Sequence, residues 1–247
     1  MKTVAEWSVT EYLDSDWPAQ LVWRELDEPV GAGPFVVVGG NGKRVPAQIG
    51  GQGKRVYYIA ELAAGKMLHY RLCEVEEESS VALQLTVENG VARILNGVVG
   101  LRLTWEGSGP NDPPILGIQG RDRIWFGGAS WGEGVEFASL GCELLESGPV
   151  FIRLRQIYRT AEGAEIIWEY LADTATPTVR IFLCQKGNIS GQAIWNFGMR
   201  FQPTRAYWRP HSPAAWRGEQ GNHKRQVYAL RYRDGGDEIH LGPFYNW

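Results

Sequence analysis

Between Arg205 and Lys224 the chain gathers Tyr207, Trp208, Arg209, His211, Trp216, Arg217, His223 and Lys224. The stretch RAYWRPHSPAAWRGEQGNHK lacks the apolar alternation of a strand, so it is predicted to be a long loop. Loops of that length in a compact domain are commonly functional. Aromatic rings beside charged donors suit a sugar site, because an indole stacks on a pyranose and its N–H reaches a hydroxyl. Arginine extends this to acidic sugars, since a guanidinium binds a carboxylate through two parallel hydrogen bonds. Trp208, Arg209, His211 and Trp216 are therefore candidates for carbohydrate contact, with Trp208 or Trp216 expected half exposed over one edge of a sheet. The competing reading is a surface flap whose tryptophans cover a sheet and whose cations are solvated.

A second cluster is GRDRIWFGGASWGEG, which holds Arg121, Asp122, Arg123, Trp125, Trp131 and Glu133. Glycines around the tryptophans permit close approach by a ligand, which makes Arg123, Trp125 and Trp131 candidates. The same glycines equally permit a β-bulge or a tight corner.

Other chemistries lack their signatures. There is no GxGxxG after a strand, no GxxxxGK[ST], no GxSxG and no HExxH. His69, His211, His223 and His240 are not at metal spacing, so neither a metal nor a cofactor is expected. A carboxylate pair for glycoside hydrolysis cannot be picked out, because spacing in sequence does not give separation in space. A mutarotase-like acid–base pair would need His211 or His223 with Glu219 or Glu169.

The elements that must carry these residues are strands. Val81, Leu83, Leu85 and Val87 alternate with polar residues, as do Leu101, Leu103 and Trp105. Val150, Ile152, Leu154 and Tyr158 face away from Arg153, Arg155 and Arg159. A period of two marks strands with one dry face. Predicted inward residues include Leu83, Leu85, Leu103, Trp105, Ile152, Leu154, Ile181 and Leu183. The first part reads as five short strands from AQLVWREL to KMLHYRLCEV, with a hairpin signal at Asn41-Gly42. The acidic run Glu74 to Ser80 is the best boundary. The fold class is all-β: a small barrel-like domain over 1–80, then a larger antiparallel sandwich over 81–247.

At 247 residues the chain is long enough for both parts. A net charge of −3 gives no basic excess for a phosphate backbone, so nucleic acid is not an expected partner. No apolar run approaches a membrane span and no secretory leader is visible, which predicts a cytoplasmic protein. The aromatic ending GPFYNW looks abrupt, and a missing C-terminal domain is expected. Cys73, Cys142 and Cys184 lie in strand-like segments as small hydrophobes, with a single bridge left open.

Several phrases carry a family resemblance. GNGKRVPAQIGG followed by KRVYYIAELAAGKMLHYRL resembles a "G-x-x-V-P-x-Q" hairpin and the strands after it in large carbohydrate-active enzymes. TVENGVARILNGVVGLRLTW resembles the "E-N-G" hairpin that opens their sandwich, and ELLESGPVFIRLRQIYRT resembles its "E-x-G-P" strand. The family indicated is the exo-rhamnogalacturonan lyase-like group of bacterial proteins; the β domains of family 38 α-mannosidases are similar. The resemblance implies a barrel, a sandwich and then a helical toroid, which this chain lacks. It further implies a lyase acting on acidic polysaccharide, with this chain contributing substrate-binding surface. The alternative is a non-catalytic carbohydrate-binding module, in which Trp125, Trp131, Trp208 and Trp216 line a groove with Arg123 and Arg209 reading acidic groups. No catalytic residue of the family maps onto the chain.

Overall fold

The structure is a computed structural model that describes residues 1–76, 83–176 and 178–189, and the strands at 193–196, 205–208, 227–231 and 238–240. The alternating segments pair as antiparallel strands. β1 (Lys2–Thr10), β2 (Trp17–Glu25), β3 (Phe35–Gly39), β4 (Arg44–Gly50), β5 (Arg55–Leu62) and β6 (Met67–Glu74) form one sheet, ordered β1-β6-β3-β4-β5-β2. The sheet curls into a half-barrel. Trp7 on β1 donates its indole N–H to the Tyr58 hydroxyl on β5 at 2.9 Å and stacks on Tyr70 of β6. Val37, Val56 and Leu72 fill the space beneath without exposure. Burying such a side chain stabilises the fold by roughly 1.5–3 kcal/mol.

This sheet has one strand more than the five expected. β1 pairs with β6, some sixty residues further along, through a register that runs from Lys2↔Glu74 to Thr10↔Met67. The turn at Asn41-Gly42 forms as expected, but only Gly42 takes a positive φ, at 79°. Asn41 instead accepts the Lys43 N–H through Oδ1 at 3.0 Å, the local side-chain bond that favours Asn in turns.

The second part is a sandwich. Its first sheet holds β7 (Gln84–Glu88), β8 (Val91–Leu95), β9 (Gly100–Thr104), β10 (Ile115–Gln119), β11 (Trp125–Phe126) and β12 (Gly128–Trp131). Its second holds β13 (Ser139–Ser147), β14 (Phe151–Arg159), β15 (Glu165–Asp173) and β16 (Val179–Lys186) in sequence order. β17 (Ala193–Asn196) returns to the first sheet beside β12, giving the order β17-β12-β10-β9-β8-β7 with β11 on β10. β18 (Arg205–Trp208), β19 (Val227–Arg231) and β20 (Glu238–His240) make a separate three-stranded sheet. The expected long loop therefore begins with a strand: Arg205 to Trp208 pair with β19.

Ile94, Leu101, Leu103 and Ile115 from one sheet meet Ile152, Leu154, Trp168 and Tyr170 from the other in one core. Every inward residue predicted above belongs to this core or packs against it. Val87 does not follow its row and is half exposed near the end of β7. Asn89 and Gly90 turn the β7–β8 hairpin at φ values of 51° and 75°, the left-handed pair that a two-residue hairpin requires. Gln156 is the polar bridge in this core. Its amide donates to the Thr104 and Pro114 carbonyls and accepts the Tyr170 hydroxyl at 2.6 Å.

The two cores are separate clusters, one drawn from Leu26 to Leu72 and one from Leu83 to Ala172. They are joined side by side by Gln48, whose Oε1 accepts the Val150 and Phe151 N–H groups at 3.2 and 3.0 Å. Tyr57 packs on Phe151 at the same junction, with ring centroids 4.9 Å apart. The cysteines are all free, and Cys184 is exposed rather than buried because it faces outward on β16.

Candidate functional site

Three turns meet at one end of the sandwich. The β8–β9 turn brings Asn96 and Val98, the β15–β16 turn brings Thr174 and Thr176, and the β10–β11 hairpin brings Arg121 and Arg123. Together they line a cleft of about 470 Å³. Its walls come from both sheets, so the sandwich itself sets its width.

Asn96 fixes the two walls to each other. It is buried, and its Nδ2 donates to the Thr176 carbonyl at 2.8 Å and more loosely to that of Thr178 at 3.4 Å. Its Oδ1 accepts the Val98 and Val99 N–H groups at 3.1 and 2.9 Å. Asp173, also buried, holds the other turn. Its Oδ1 accepts the N–H groups of Ala175 and Thr176 and the Thr176 hydroxyl, and its Oδ2 pairs with Arg180. Buried amides and carboxylates satisfied this completely rigidify what they join.

The third wall is strained. Arg123 has a φ of 61°, a left-handed conformation uncommon for a residue with a Cβ. Its N–H donates to the Gly120 carbonyl at 3.0 Å, and its own carbonyl accepts Gln119 Nε2 at 2.9 Å. Asp122 accepts the Ile124 N–H at 3.0 Å and completes the turn. Strain of this kind costs on the order of 1–3 kcal/mol and concentrates at functional positions. Arg123 is exposed and lines the cleft.

Trp125 follows at once on β11 and is half-buried on the outer face of the seven-stranded sheet. The indole lies beside two glycines. A Cβ on Gly100 or Gly117 would stand 3.3 or 3.4 Å from the ring. The Arg102 guanidinium lies 4.0 Å over the ring centroid. One hairpin thus brings together two of the candidates, Arg123 and Trp125, and adds Arg121.

Neither a protein-family profile nor a curated protein matches this chain.

Trp131 is placed differently. Its ring packs against Phe137, Tyr158 and Trp168, and its N–H donates to the Asp112 carbonyl at 3.2 Å. It closes the edge of the core. For Trp208 the backbone is described within β18, while Arg209, His211 and Trp216 lie outside the described residues, as do Glu219 and His223. Glu169 is held on the outer face of the four-stranded sheet by Arg153 at 2.6 Å and Arg155 at 3.1 Å. Both oxygens of that carboxylate are thus taken up in ion pairs with Arg153 and Arg155. Among the described residues no three His, Cys, Asp or Glu side chains converge as metal ligands, and no helix is long and apolar enough to cross a membrane.

Asn96, Thr174 and Thr176 were not among the sequence candidates. Asn96-Gly97 reads as a turn signal, but nothing in the spacing places it beside a turn almost eighty residues away.

Proposed function

We propose that this chain supplies a binding surface for acidic saccharide within a polysaccharide-processing protein. The observation that carries the reading is the β10–β11 hairpin. It sets Arg123 in a strained turn on the rim of the end cleft and lays Trp125 on the adjoining sheet face. Threonine hydroxyls and guanidiniums suit sugar hydroxyls and carboxylates, and an indole suits a pyranose face. Among the described residues lining this cleft there is no histidine, carboxylate or tyrosine to move a proton. That favours binding over chemistry for this surface. The lyase activity that the family resemblance implies would then be supplied by other sequence, and a stand-alone binding module uses the same surface.

The test is calorimetric titration of the chain with neutral and uronate-containing oligosaccharides, read beside absorbance of new double bonds in the ultraviolet. Binding of the acidic series without product identifies a module. Binding with rising absorbance identifies a lyase. No binding of any acidic saccharide removes the proposal.

A further inference from the structure

The outer face of the seven-stranded sheet carries an unusual cross-strand pair. Arg93 on β8 stands directly opposite Arg102 on β9, with Gly117 of β10 next in the row. Their neighbours Ile94, Leu101 and Leu103 point into the core, so both arginines face outward. Like charges directly opposite on antiparallel strands, with Cβ atoms about 4.5–5.5 Å apart, destabilise a sheet. The four-stranded sheet of the same sandwich avoids this. There Arg153 and Arg155 share Glu169, and Arg159 and Lys186 share Glu165. Among the described residues no carboxylate pairs with Arg93 or Arg102. Arg102 Nε is buried with no hydrogen-bond partner.

Trp125 fixes where this charge points. A guanidinium held over an indole keeps the N–H donors around its rim free, and it is already immobilised before any ligand arrives. The indole lies close over Gly100 and Gly117, where a Cβ would stand 3.3 and 3.4 Å from it. The pair therefore presents one guanidinium held against an aromatic wall, Arg102, and a second, exposed one beside it, Arg93.

We propose that Arg93 and Arg102, with Trp125, form a carboxylate subsite that grips one uronate residue of a saccharide chain. This deepens the reading above and rests on it. The subsite lies on the sheet face and is separate from the end cleft lined by Arg121 and Arg123. A carboxylate fits because it accepts two parallel hydrogen bonds from one guanidinium and neutralises the second charge beside it.

The experiment titrates the full chain by calorimetry with tetragalacturonate, with its carboxyl-reduced neutral counterpart, and with inorganic sulfate. Arg93→Gln is the principal variant, because Arg93 is exposed and its loss relieves repulsion; its melting temperature should be unchanged or higher. Arg102→Lys keeps the charge but loses the fork, and Arg123→Gln probes the end cleft alone. Tetragalacturonate should bind Arg93→Gln and Arg102→Lys roughly tenfold more weakly, with a shallower salt dependence and no change toward the reduced oligosaccharide. Wild-type affinity in both variants, with loss only in Arg123→Gln, overturns the subsite and leaves the end cleft as the binding surface. Loss of sulfate binding in Arg93→Gln with tetragalacturonate unaffected overturns the uronate assignment. Failure of wild type to bind any acidic saccharide overturns both readings.

Discussion

Gln48 Oε1 accepts the backbone N–H of Phe151 at 3.0 Å, and through that contact two phrases a hundred residues apart hold each other. Gln48 ends the V-P-x-Q phrase on β4, and Phe151 follows the E-x-G-P phrase that leads into β14. The same oxygen takes the Val150 N–H at 3.2 Å. Two of the phrases behind the resemblance thus form the lock between half-barrel and sandwich.

Gln48→Ala should therefore leave two buried N–H donors unpaired. The expected loss is roughly 2–4 kcal/mol of stability, read by denaturant unfolding, with faster exchange at the Val150 and Phe151 amides in particular. Gly148→Ala should also destabilise, because its Cβ would stand 2.6 Å from the bonded Gln48 Oε1. The two changes share one contact. Once Gln48 is shortened, the added methyl has room, so the double variant should cost less than the sum of the singles. Strict additivity would mean that the lock does not exist.

Asn96→Ala tests whether the end cleft is built or incidental. The substitution removes the donor to Thr176 and the acceptor for Val98 and Val99 in one step. Melting temperature and affinity for acidic saccharide should fall together, with the stability loss on the order of 2–4 kcal/mol. Asn96→Asp keeps the acceptor but turns a carboxylate toward the Thr176 carbonyl, so it should rescue neither property. A cleft that binds normally after Asn96→Ala would not depend on the bridging of the two sheets.

Much of this architecture could be read from residues alone. Alternation identified the faces of β9 and β14, because one side of each strand is dry and a one-residue slip would exchange the faces. Asn89-Gly90 announced its hairpin because few other pairs tolerate two positive φ values. Pairing partners were not legible. β1 carries a weaker pattern and finds β6 only through the fold, and Arg93 meets Arg102 only through the β8–β9 register. The cleft was illegible for the same reason, since Asn96 and Thr176 are neighbours across two sheets. Trp131 shows the opposite failure. A tryptophan flanked by glycines looks the same in sequence whether it meets a ligand or, as here, Tyr158 and Phe137.

Glu11 predicts the acid limb of the stability curve. It is buried in the half-barrel, and its carboxylate accepts the Leu13 N–H at 2.6 Å and the Gly65 N–H at 2.8 Å, tying two turns together. The Gly65 N–H, with help from Leu13 and its neighbours, holds the Glu11 carboxyl below its ordinary value against the opposing effect of burial. A group depressed in the folded state contributes fully above its unfolded value, and the contribution is lost as pH falls through the folded value. Thermal melts from neutral to acidic pH should therefore show Glu11→Gln less stable at neutral pH and flatter in acid than wild type. Parallel acid limbs for the two proteins would show that Glu11 is not a source of the pH dependence.

Arg123 offers a way to separate binding from folding, because its backbone and its side chain make opposite demands. The φ of 61° is costly for arginine and free for glycine. Arg123→Gly should leave the melting temperature unchanged or raise it, by up to about 1 kcal/mol of stability, since the strain is relieved and the side chain is exposed. The same variant should weaken binding of acidic saccharide while sparing neutral saccharide, because the guanidinium on the cleft rim is gone. Arg123→Ala keeps the strain and loses the charge, so it should match Arg123→Gly in binding and fall below it in stability. Trp125→Phe completes the set: it thins the aromatic wall and loosens Arg102, so it should weaken binding of neutral ligands, and of acidic ligands more. If Arg123→Gly gained stability with no change toward any saccharide, the strain in this turn would have no bearing on binding, and the hairpin would lose its place at the centre of the site.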